Sequence, residues 1–220
     1  MSIMTNIKSA IFDMDGTILD SMPIWDNVAA IYLESRGITP RPGLRAALLP
    51  LGGSQIPEYF QREYGVTEPV QVIADAINAI VEEFYLNDAP LKDGILQILS
   101  SLASRGIKMC VATATDRYLV EAALTRCGVL HYFERIYTCS EEQTGKDRPD
   151  IFFTAARFLG TEVAETCVFE DALYAIKTAK AAGFPVVSVY DLSADGQQDE
   201  IRALSDRHYK SFTDWSEDDD

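Results

Sequence analysis

The sequence predicts an α/β fold in which a doubly wound parallel sheet is interrupted by an all-helical insertion. Two observations favour the sheet: short apolar runs alternate with stretches of helical periodicity, and most of these stretches end at or near a glycine. A third observation favours the insertion, because residues 21–90 combine helical periodicity with scattered proline and glycine and contain no convincing strand. We therefore expect a sheet-based core and a smaller helical domain.

Five apolar runs are the predicted strands, and each is short enough to be buried in a parallel sheet. The first, Ser9–Phe12, stops at Asp13 and is soon followed by a glycine; the others are 108–112, 135–138, 166–169 and 185–189. Amphipathic stretches around these runs are predicted to be helices that cover both faces of the sheet. They span 94–105, 117–127, 150–159 and 172–182, and the last three end at or near Gly128, Gly160 and Gly183.

The predicted domains follow from the segment that interrupts this alternation of strands and helices. We expect residues 1–20 and 91–220 to form the α/β core and residues 21–90 to form a helical cap domain. Within the cap, Ile24, Val28 and Ile31 have the spacing of one helical face. The last residues, 214–220, are strongly acidic and are predicted to be a flexible, solvated tail.

Charge and hydropathy exclude several classes of partner. The chain of 220 residues carries a net charge of -15, which argues against nucleic acid or an anionic membrane surface. Its apolar runs are too short to span a bilayer, and its N-terminus lacks the pattern of a signal peptide. We therefore expect a cytoplasmic protein that binds neither nucleic acid nor membranes, and the sequence implies no protein partner.

Two carboxylates follow the first strand. Asp13 and Asp15 lie two residues apart, so their side chains share one side of the extended chain while Met14 points the other way. Gly16 allows a sharp exit, and the hydroxyl of Thr17 can fasten the new turn. Two carboxylates at about 4 Å repel each other by a few kcal/mol, so a cation has to offset them. By itself, such an acidic pair is as compatible with a solvated loop as with a functional site.

Chemically useful residues also occur at other predicted strand and helix ends. Glu170 and Asp171 follow the fourth strand, and carboxylate clusters suit Mg²⁺. Thr113 and Ala114 follow the second strand, where a hydroxyl and the amides of a helix start suit a phosphate. Lys146 lies just before the helix that precedes the fourth strand and can supply positive charge. Singly, each residue has an ordinary explanation as a cap or surface side chain, but together they favour a metal- and phosphate-binding site.

Four segments resemble the motifs of the haloacid dehalogenase-like hydrolase superfamily. They are DMDGTILDS at 13–21, VATAT at 111–115, GKDRPDIF at 145–152 and VFEDALYAIKTAKAAG at 168–183. The helical insertion directly after the first motif resembles the cap of the phosphoglycolate phosphatase and β-phosphoglucomutase branch. The resemblance covers nearly the whole chain and implies a Rossmann-like core with Mg²⁺ as cofactor.

The resemblance also implies catalytic roles. Asp13 attacks phosphorus and becomes an aspartyl phosphate, while Asp15 protonates the leaving alcohol and then deprotonates the water that hydrolyses the intermediate. Thr113 and Lys146 hold the phosphoryl group. Ala114 stands where many relatives have Asn or Ser, so this position offers the phosphate only a backbone amide.

The implied metal ligands are Asp13, the main-chain carbonyl of Asp15, and Asp171. Glu170 is implied either as a further direct ligand or as a residue that acts through another ligand. A phosphoryl group in transfer carries negative charge on its equatorial oxygens, so a cation and Lys146 would both stabilise it.

The function that these features favour is a Mg²⁺-dependent phosphatase that hydrolyses a small phosphorylated metabolite through an aspartyl phosphate. The carboxylic acid of Asp15 argues against a dehalogenase, because dehalogenases of this superfamily use no acid at that position. The absence of lysine between Ser21 and Pro90 argues against phosphonate cleavage, which needs a lysine in the cap. A β-phosphoglucomutase-like phosphomutase remains an alternative, although a mutase must grip a distal phosphate and the cap offers only four arginines. The alternative from another class is a non-catalytic or phospho-accepting binding protein.

Overall fold

The computed structural model describes residues 6–48, 51 and 55–216. Our predictions for residues 1–5, 49–50, 52–54 and 217–220 lie outside the described residues. The chain divides into two compact units, one made of Met1–Met22 with Ala89–Asp220 and the other of Pro23–Asp88. We predicted the boundaries at 20/21 and 90/91, so the two divisions differ by two residues at each boundary.

Within the described residues, the first unit contains one sheet of six parallel strands in the order β3-β2-β1-β4-β5-β6. The strands are β1 Ser9–Phe12, β2 Lys108–Thr113, β3 Phe133–Thr138, β4 Thr166–Glu170, β5 Val186–Val189 and β6 Arg207–Tyr209. β1 is central, with Ile11 opposite Cys110 of β2 on one side and Val168 of β4 on the other. The predicted parallel α/β fold is confirmed, and the strand order reverses at β1, where such sheets bind ligands beyond their carboxyl ends.

The second unit contains only helices among its described residues. They are α1 Met22–Ser35, α2 Leu44–Leu48, α3 Ile56–Tyr64 and α4 Val70–Asn87. Their apolar faces form a separate small core, in which the rings of Tyr32 and Phe60 stack with centroids 5.3 Å apart and Ile73 is fully buried. The predicted all-helical insertion is therefore confirmed.

The helices of the first unit cover the sheet. They are α5 Ile95–Ser104, α6 Arg117–Arg126, α7 Cys139–Glu142, α8 Asp150–Leu159, α9 Leu173–Ala181 and α10 Gln198–Leu204. Phe152 of α8 and Ile176 of α9 belong to the core cluster that includes Ile11 of β1. The four helices predicted for this unit agree with α5, α6, α8 and α9 to within one residue at each end. No helix in the described part of the chain has the length and apolar character needed to cross a membrane.

The C-terminal segment differs from the prediction. β6 was not predicted, because three residues are too few to show an apolar alternation, yet Ser188 of β5 pairs with His208. The flexible tail predicted for 214–220 was wrong at Asp214 and Trp215. Phe212–Asp214 is a short 3-10 helix, and Trp215 is only 5% exposed, with its ring centroid 5.6 Å from that of Tyr209. Burial of this large aromatic ring holds the segment on the sheet despite the acidic residues that follow it.

The chain leaves and re-enters the first unit at neighbouring points. The backbone N–H of Asp20 donates to the carbonyl of Pro90 at 2.9 Å, and that of Lys92 donates to the carbonyl of Ile18 at 2.8 Å. Lys92 Nζ also donates to the buried Asp191 at 2.5 Å. The turn that follows β1 is therefore fastened to the segment that returns to the sheet.

Candidate active site

The chain after β1 continues to the carboxyl edge of the sheet and then turns. The N–H of Asp13 donates to the carbonyl of Phe169 at 2.9 Å, so the pairing with β4 extends one residue beyond β1. Gly16 has a φ of 80°, and a Cβ built on it would lie 2.4 Å from Oδ2 of Asp171. A side chain at this position would therefore be strained and would collide with Asp171, whereas glycine allows the close approach.

Three buried carboxylates meet at this edge. Asp13, Glu170 and Asp171 each offer one oxygen, and these oxygens lie within 4.8 Å of one another. The buried Lys146 donates through Nζ to Oδ1 of Asp13 and, at 2.8 Å, to Oε1 of Glu170. Thr17 donates to Oδ1 of Asp171 at 2.9 Å. The structure thus brings four of the predicted site residues together.

The charges in this cluster are unbalanced. Burial raises the pKa of Asp13 to about 8 although Lys146 lowers it, and the charge of Glu170 raises it further. Burial and Glu170 also raise the pKa of Asp171 well above its usual value. Burial alone would lower the pKa of Lys146, but Asp13 and Glu170 raise it above its usual value. One ammonium group does not offset three carboxylates, whereas an oxygen-bound divalent cation would.

The carboxylates differ in how many of their oxygens are engaged. Glu170 uses Oε1 for Lys146, and its Oε2 accepts the backbone N–H groups of Asp171 at 2.8 Å and Ala172 at 2.9 Å. Among the described residues, hydrogen bonds reach only Oδ1 of Asp13 and Oδ1 of Asp171. This donor set fits a divalent cation. Asp13 and Asp171 have the more available oxygens, while Glu170 fixes Lys146 and the start of α9.

The side chain of Asp15 is held by two hydroxyl groups. Ser21 Oγ donates to Oδ1 at 2.6 Å, and Thr115 Oγ1 donates to Oδ2 at 2.5 Å. Neither hydroxyl residue is among the predicted site residues, although Ser21 ends the segment 13–21 and Thr115 lies two residues beyond Thr113. The predicted metal contact of Asp15 involves its main-chain carbonyl and stays a prediction.

Thr113 ends β2 at the same edge of the sheet, on the strand next to β1. It is fully buried, and its Oγ1 accepts the N–H of Thr115 at 3.1 Å, so its own hydroxyl proton can be donated elsewhere. Ala114 is exposed. The phosphate contacts predicted for Thr113, Ala114 and Lys146 stay predictions, and the position of β2 beside β1 is compatible with them.

Comparisons with known proteins agree on one family. The model described as "haloacid dehalogenase-like hydrolase" matches residues 7–183. Fructose-1-phosphate phosphatase YqaB of Escherichia coli (strain K12) is 30% identical over 193 residues, which cover 81% of this chain and 94% of that protein. Protein SUPPRESSOR OF QUENCHING 1, chloroplastic, of Arabidopsis thaliana is 27% identical over 83% of this chain, which spans only 18% of that protein.

A solved structure shares the fold. The crystal structure of a putative beta-phosphoglucomutase from Thermotoga maritima matches with a TM-score of 0.82, covering 94% of this chain and 95% of that chain. The identity is 20%, so this likeness concerns the fold alone.

Proposed function

The chain belongs to the haloacid dehalogenase-like hydrolases, as an enzyme that hydrolyses phosphoric monoesters, and we propose that it acts on a small phosphorylated metabolite through an aspartyl phosphate on Asp13. One observation carries the proposal: the buried Asp13 contacts Lys146 within a cluster of three carboxylates and lies two residues before Asp15. The relative named as a fructose-1-phosphate phosphatase supports a phosphate ester as the substrate.

In the first step, a carboxylate oxygen of Asp13 forms a bond to phosphorus while the ester P–O bond breaks. Asp15 transfers its proton to the leaving alcohol oxygen, so the alcohol departs neutral. In the second step, Asp15 takes a proton from water, which attacks the same phosphorus and releases inorganic phosphate and the Asp13 carboxylate. Asp15 is protonated again at the end, ready for the next turnover.

Lys146 supports both steps electrostatically. Its ammonium group lies against Asp13, so it would also lie near the transferring phosphoryl group and stabilise the charge on the equatorial oxygens. We propose that Thr113 donates its hydroxyl proton to one of these oxygens and that Ala114 contributes its backbone amide. These groups would bind and orient the phosphate without reacting with it.

The cluster of carboxylates fits a divalent cation, which we propose to be Mg²⁺. The residues that would hold it are Asp13, Asp171, the main-chain carbonyl of Asp15 and, directly or through its neighbours, Glu170. When bound, the cation would supply the positive charge that offsets the repulsion between Asp13 and the incoming phosphate.

The test replaces the proposed nucleophile. Asp13→Asn keeps the size of the side chain but removes the anionic oxygen that attacks phosphorus, so we expect phosphate release to fall roughly a thousandfold or more. The measurement is Mg²⁺-dependent release of phosphate from p-nitrophenyl phosphate and a panel of sugar phosphates. Asp20→Asn, at a half-exposed position of the same segment, is the matched control. An Asp13→Asn enzyme with the full rate would exclude Asp13 as the nucleophile.

A product analysis distinguishes the proposed phosphatase from a phosphomutase, which would move the phosphoryl group from one position of the sugar to another. With β-glucose 1-phosphate and a bisphosphate primer, we expect glucose and free phosphate. Accumulation of glucose 6-phosphate in place of free phosphate would favour the phosphomutase instead.

A further inference from the structure

One buried carboxylate lies outside the candidate active site. In the described part of the chain, the buried charged side chains are those of Asp13, Lys146, Glu170, Asp171 and Asp191. The first four form the cluster at the carboxyl edge of the sheet, whereas Asp191 follows β5 and has no role in the proposed reaction. A buried carboxylate is unfavourable unless hydrogen bonds and an opposite charge compensate it.

Both oxygens of Asp191 are compensated. Oδ1 accepts the N–H of Ser193 at 2.8 Å and its hydroxyl at 2.6 Å, and Oδ2 accepts from Nζ of Lys92 at 2.5 Å. Burial would raise the pKa of Asp191, but the hydrogen bonds from Lys92 and Ser193 lower it below its usual value. Oδ1 of Asp20 also lies 3.6 Å from Nζ of Lys92, but that carboxylate is half exposed and contributes little. Asp191 is therefore an anion of fixed orientation, and Lys92 is its cation.

Lys92 joins the loop after β5 to the chain that follows β1. Its backbone N–H donates to the carbonyl of Ile18 at 2.8 Å, and the neighbouring Leu91 pairs with Leu19 in an antiparallel bridge. The side chain of Lys92 is only 13% exposed, so its contact with Asp191 is shielded from water. The backbone of Lys92 is thus held against Ile18 while its side chain is held by the loop after β5.

Ile18 and Leu19 belong to the turn that carries Asp15. The N–H groups of both residues donate to the carbonyl of Met14, at 2.9 and 2.8 Å, and the N–H of Gly16 donates to the carbonyl of Leu19 at 2.8 Å. Ile18 and Leu19 are fully buried, and Asp15 pairs with Leu19 in a bridge. A shift of Leu19 would therefore be transmitted to Asp15.

The proposed nucleophile is held by other contacts. The N–H of Asp13 donates to a carbonyl of β4, and its side chain contacts Lys146. Ser21, in contrast, follows the segment that Lys92 holds, and its hydroxyl donates to Oδ1 of Asp15 at 2.6 Å. Loss of the contact between Lys92 and its carboxylate should therefore disturb Asp15 more than Asp13.

From these contacts we propose that Lys92 is a positioning residue, whose ion pair with Asp191 fixes the turn after β1 and holds Asp15 where it protonates the leaving oxygen. This inference rests on the proposed function, in which Asp15 is the acid and base. A buried ion pair adds little net stability but requires one defined geometry. A displacement of a catalytic group by about 1 Å can lower the rate by as much as roughly a hundredfold.

The test removes both charges of the pair. Lys92→Met alone would leave a buried carboxylate without its cation, so the variant to assay is Lys92→Met with Asp191→Asn. We expect kcat/KM for the best sugar phosphate of the panel to fall about fivefold or more, because its alcohol needs the proton from Asp15. The value for p-nitrophenyl phosphate should fall by less than about twofold, since nitrophenolate leaves without a proton. A parallel loss for both substrates, or no loss for either, would overturn the proposal.

A second variant and a control accompany this enzyme. Asp191→Asn alone is milder, because the partly exposed Lys92 keeps its charge, and it should change the ratio of the two kcat/KM values in the same direction. Lys8→Met with Glu165→Gln is the matched control, because it removes a more exposed lysine–carboxylate pair of the same unit, at 2.6 Å. Circular dichroism verifies that each variant is folded at the assay temperature. An equal change of the ratio in the control would exclude a specific role for Lys92.

A series of phosphate esters with leaving groups of increasing pKa provides a readout that a merely structural role would not change. Donation of a proton makes the rate less sensitive to the pKa of the leaving group. A plot of log kcat/KM against that pKa should therefore have a steeper negative slope for the double variant than for the wild type. An unchanged slope would mean that Lys92 does not act through Asp15.

Failure of this inference is distinguishable from failure of the proposed function. If the wild-type enzyme releases phosphate and the double variant keeps the wild-type ratio of kcat/KM values, the positioning role is wrong while the phosphatase stands. If the wild-type enzyme releases no phosphate from any compound, p-nitrophenyl phosphate included, the proposed function itself fails.

Discussion

The side chain of Asp15 accepts hydrogen bonds from one residue that is near in sequence and from one that is far away. Ser21 follows it by six residues, whereas Thr115 is a hundred residues away and lies just beyond β2. Thr115 has a second contact, because its N–H donates to the hydroxyl of Thr113. Thr115 therefore contacts both Asp15, the proposed acid and base, and Thr113, a proposed phosphate-binding residue. We propose that Thr115 positions Asp15.

Replacement of Thr115 should lower kcat/KM for substrates whose leaving group needs a proton, and should have little effect on substrates whose leaving group does not. Thr115→Val keeps the size and the backbone N–H but removes the hydroxyl that orients Asp15. We expect kcat/KM for an alkyl phosphate to fall about tenfold or more, because its alcohol needs the proton from Asp15. The value for p-nitrophenyl phosphate should change little, since nitrophenolate leaves without a proton.

The control for this change is Thr115→Ser, which restores the hydroxyl and should restore the rate for the alkyl phosphate. Steady-state kinetics with both substrates make the comparison. A parallel loss for both kinds of substrate would mean that Thr115 acts through the fold and not through Asp15.

At the scale of secondary structure, the last strand and the helix turn after it close one side of the sheet. The rings of Tyr209 and Phe212 lie 6.2 Å apart, and those of Tyr209 and Trp215 lie 5.6 Å apart. The backbone of Phe212 also approaches Gly94 so closely that a Cβ there would lie 2.3 Å from it. This aromatic segment thus packs against the start of α5 as well as following β6.

Trp215→Ala should destabilise this edge of the sheet without changing catalysis. We expect the free energy of unfolding to fall by about 3 kcal/mol, because a buried indole is lost and a cavity remains. Urea unfolding measures the change, and kcat/KM at 25 °C should stay at the wild-type value. Lys210→Ala, at an exposed position between β6 and the helix turn, is the control. Unchanged stability of Trp215→Ala would contradict the packing described for this segment.

At the scale of the whole molecule, the excess negative charge of the buried carboxylate cluster should affect the stability of the folded protein. The chain has a net charge of -15, and three of its carboxylates are buried together with one lysine. Burial of like charges is unfavourable unless a cation offsets them. A cation that binds only the folded protein stabilises it by mass action.

Addition of Mg²⁺ should therefore raise the melting temperature. At a concentration about a hundredfold above Kd the stabilisation is about 2.7 kcal/mol, which corresponds to a rise of roughly 5 °C or more for a chain of this size. Differential scanning fluorimetry with and without EDTA measures it. Asp171→Asn should abolish most of the shift, while Asp20→Asn should keep it. A shift of the same size in Asp171→Asn would exclude Asp171 as a metal ligand.

The sequence by itself determined the parallel α/β fold, the all-helical insertion and the acidic segment that starts at Asp13. These features depend on short-range patterns: a buried strand needs a continuous apolar run, a helix needs its periodicity, and the residue after a strand lies at the edge of the sheet. The family resemblance added roles for Thr113, Lys146, Glu170 and Asp171, and these roles stay predictions.

Only the tertiary structure decided which groups touch one another. It paired Lys146 with Asp13 and Glu170, brought Thr115 to Asp15, added β6 with Trp215 to the sheet, and gave every arginine of the helical unit a carboxylate partner. Such contacts join residues that are far apart in sequence or that no periodic pattern links. Their geometry depends on strand register and on packing, which the order of residue types along the chain does not express.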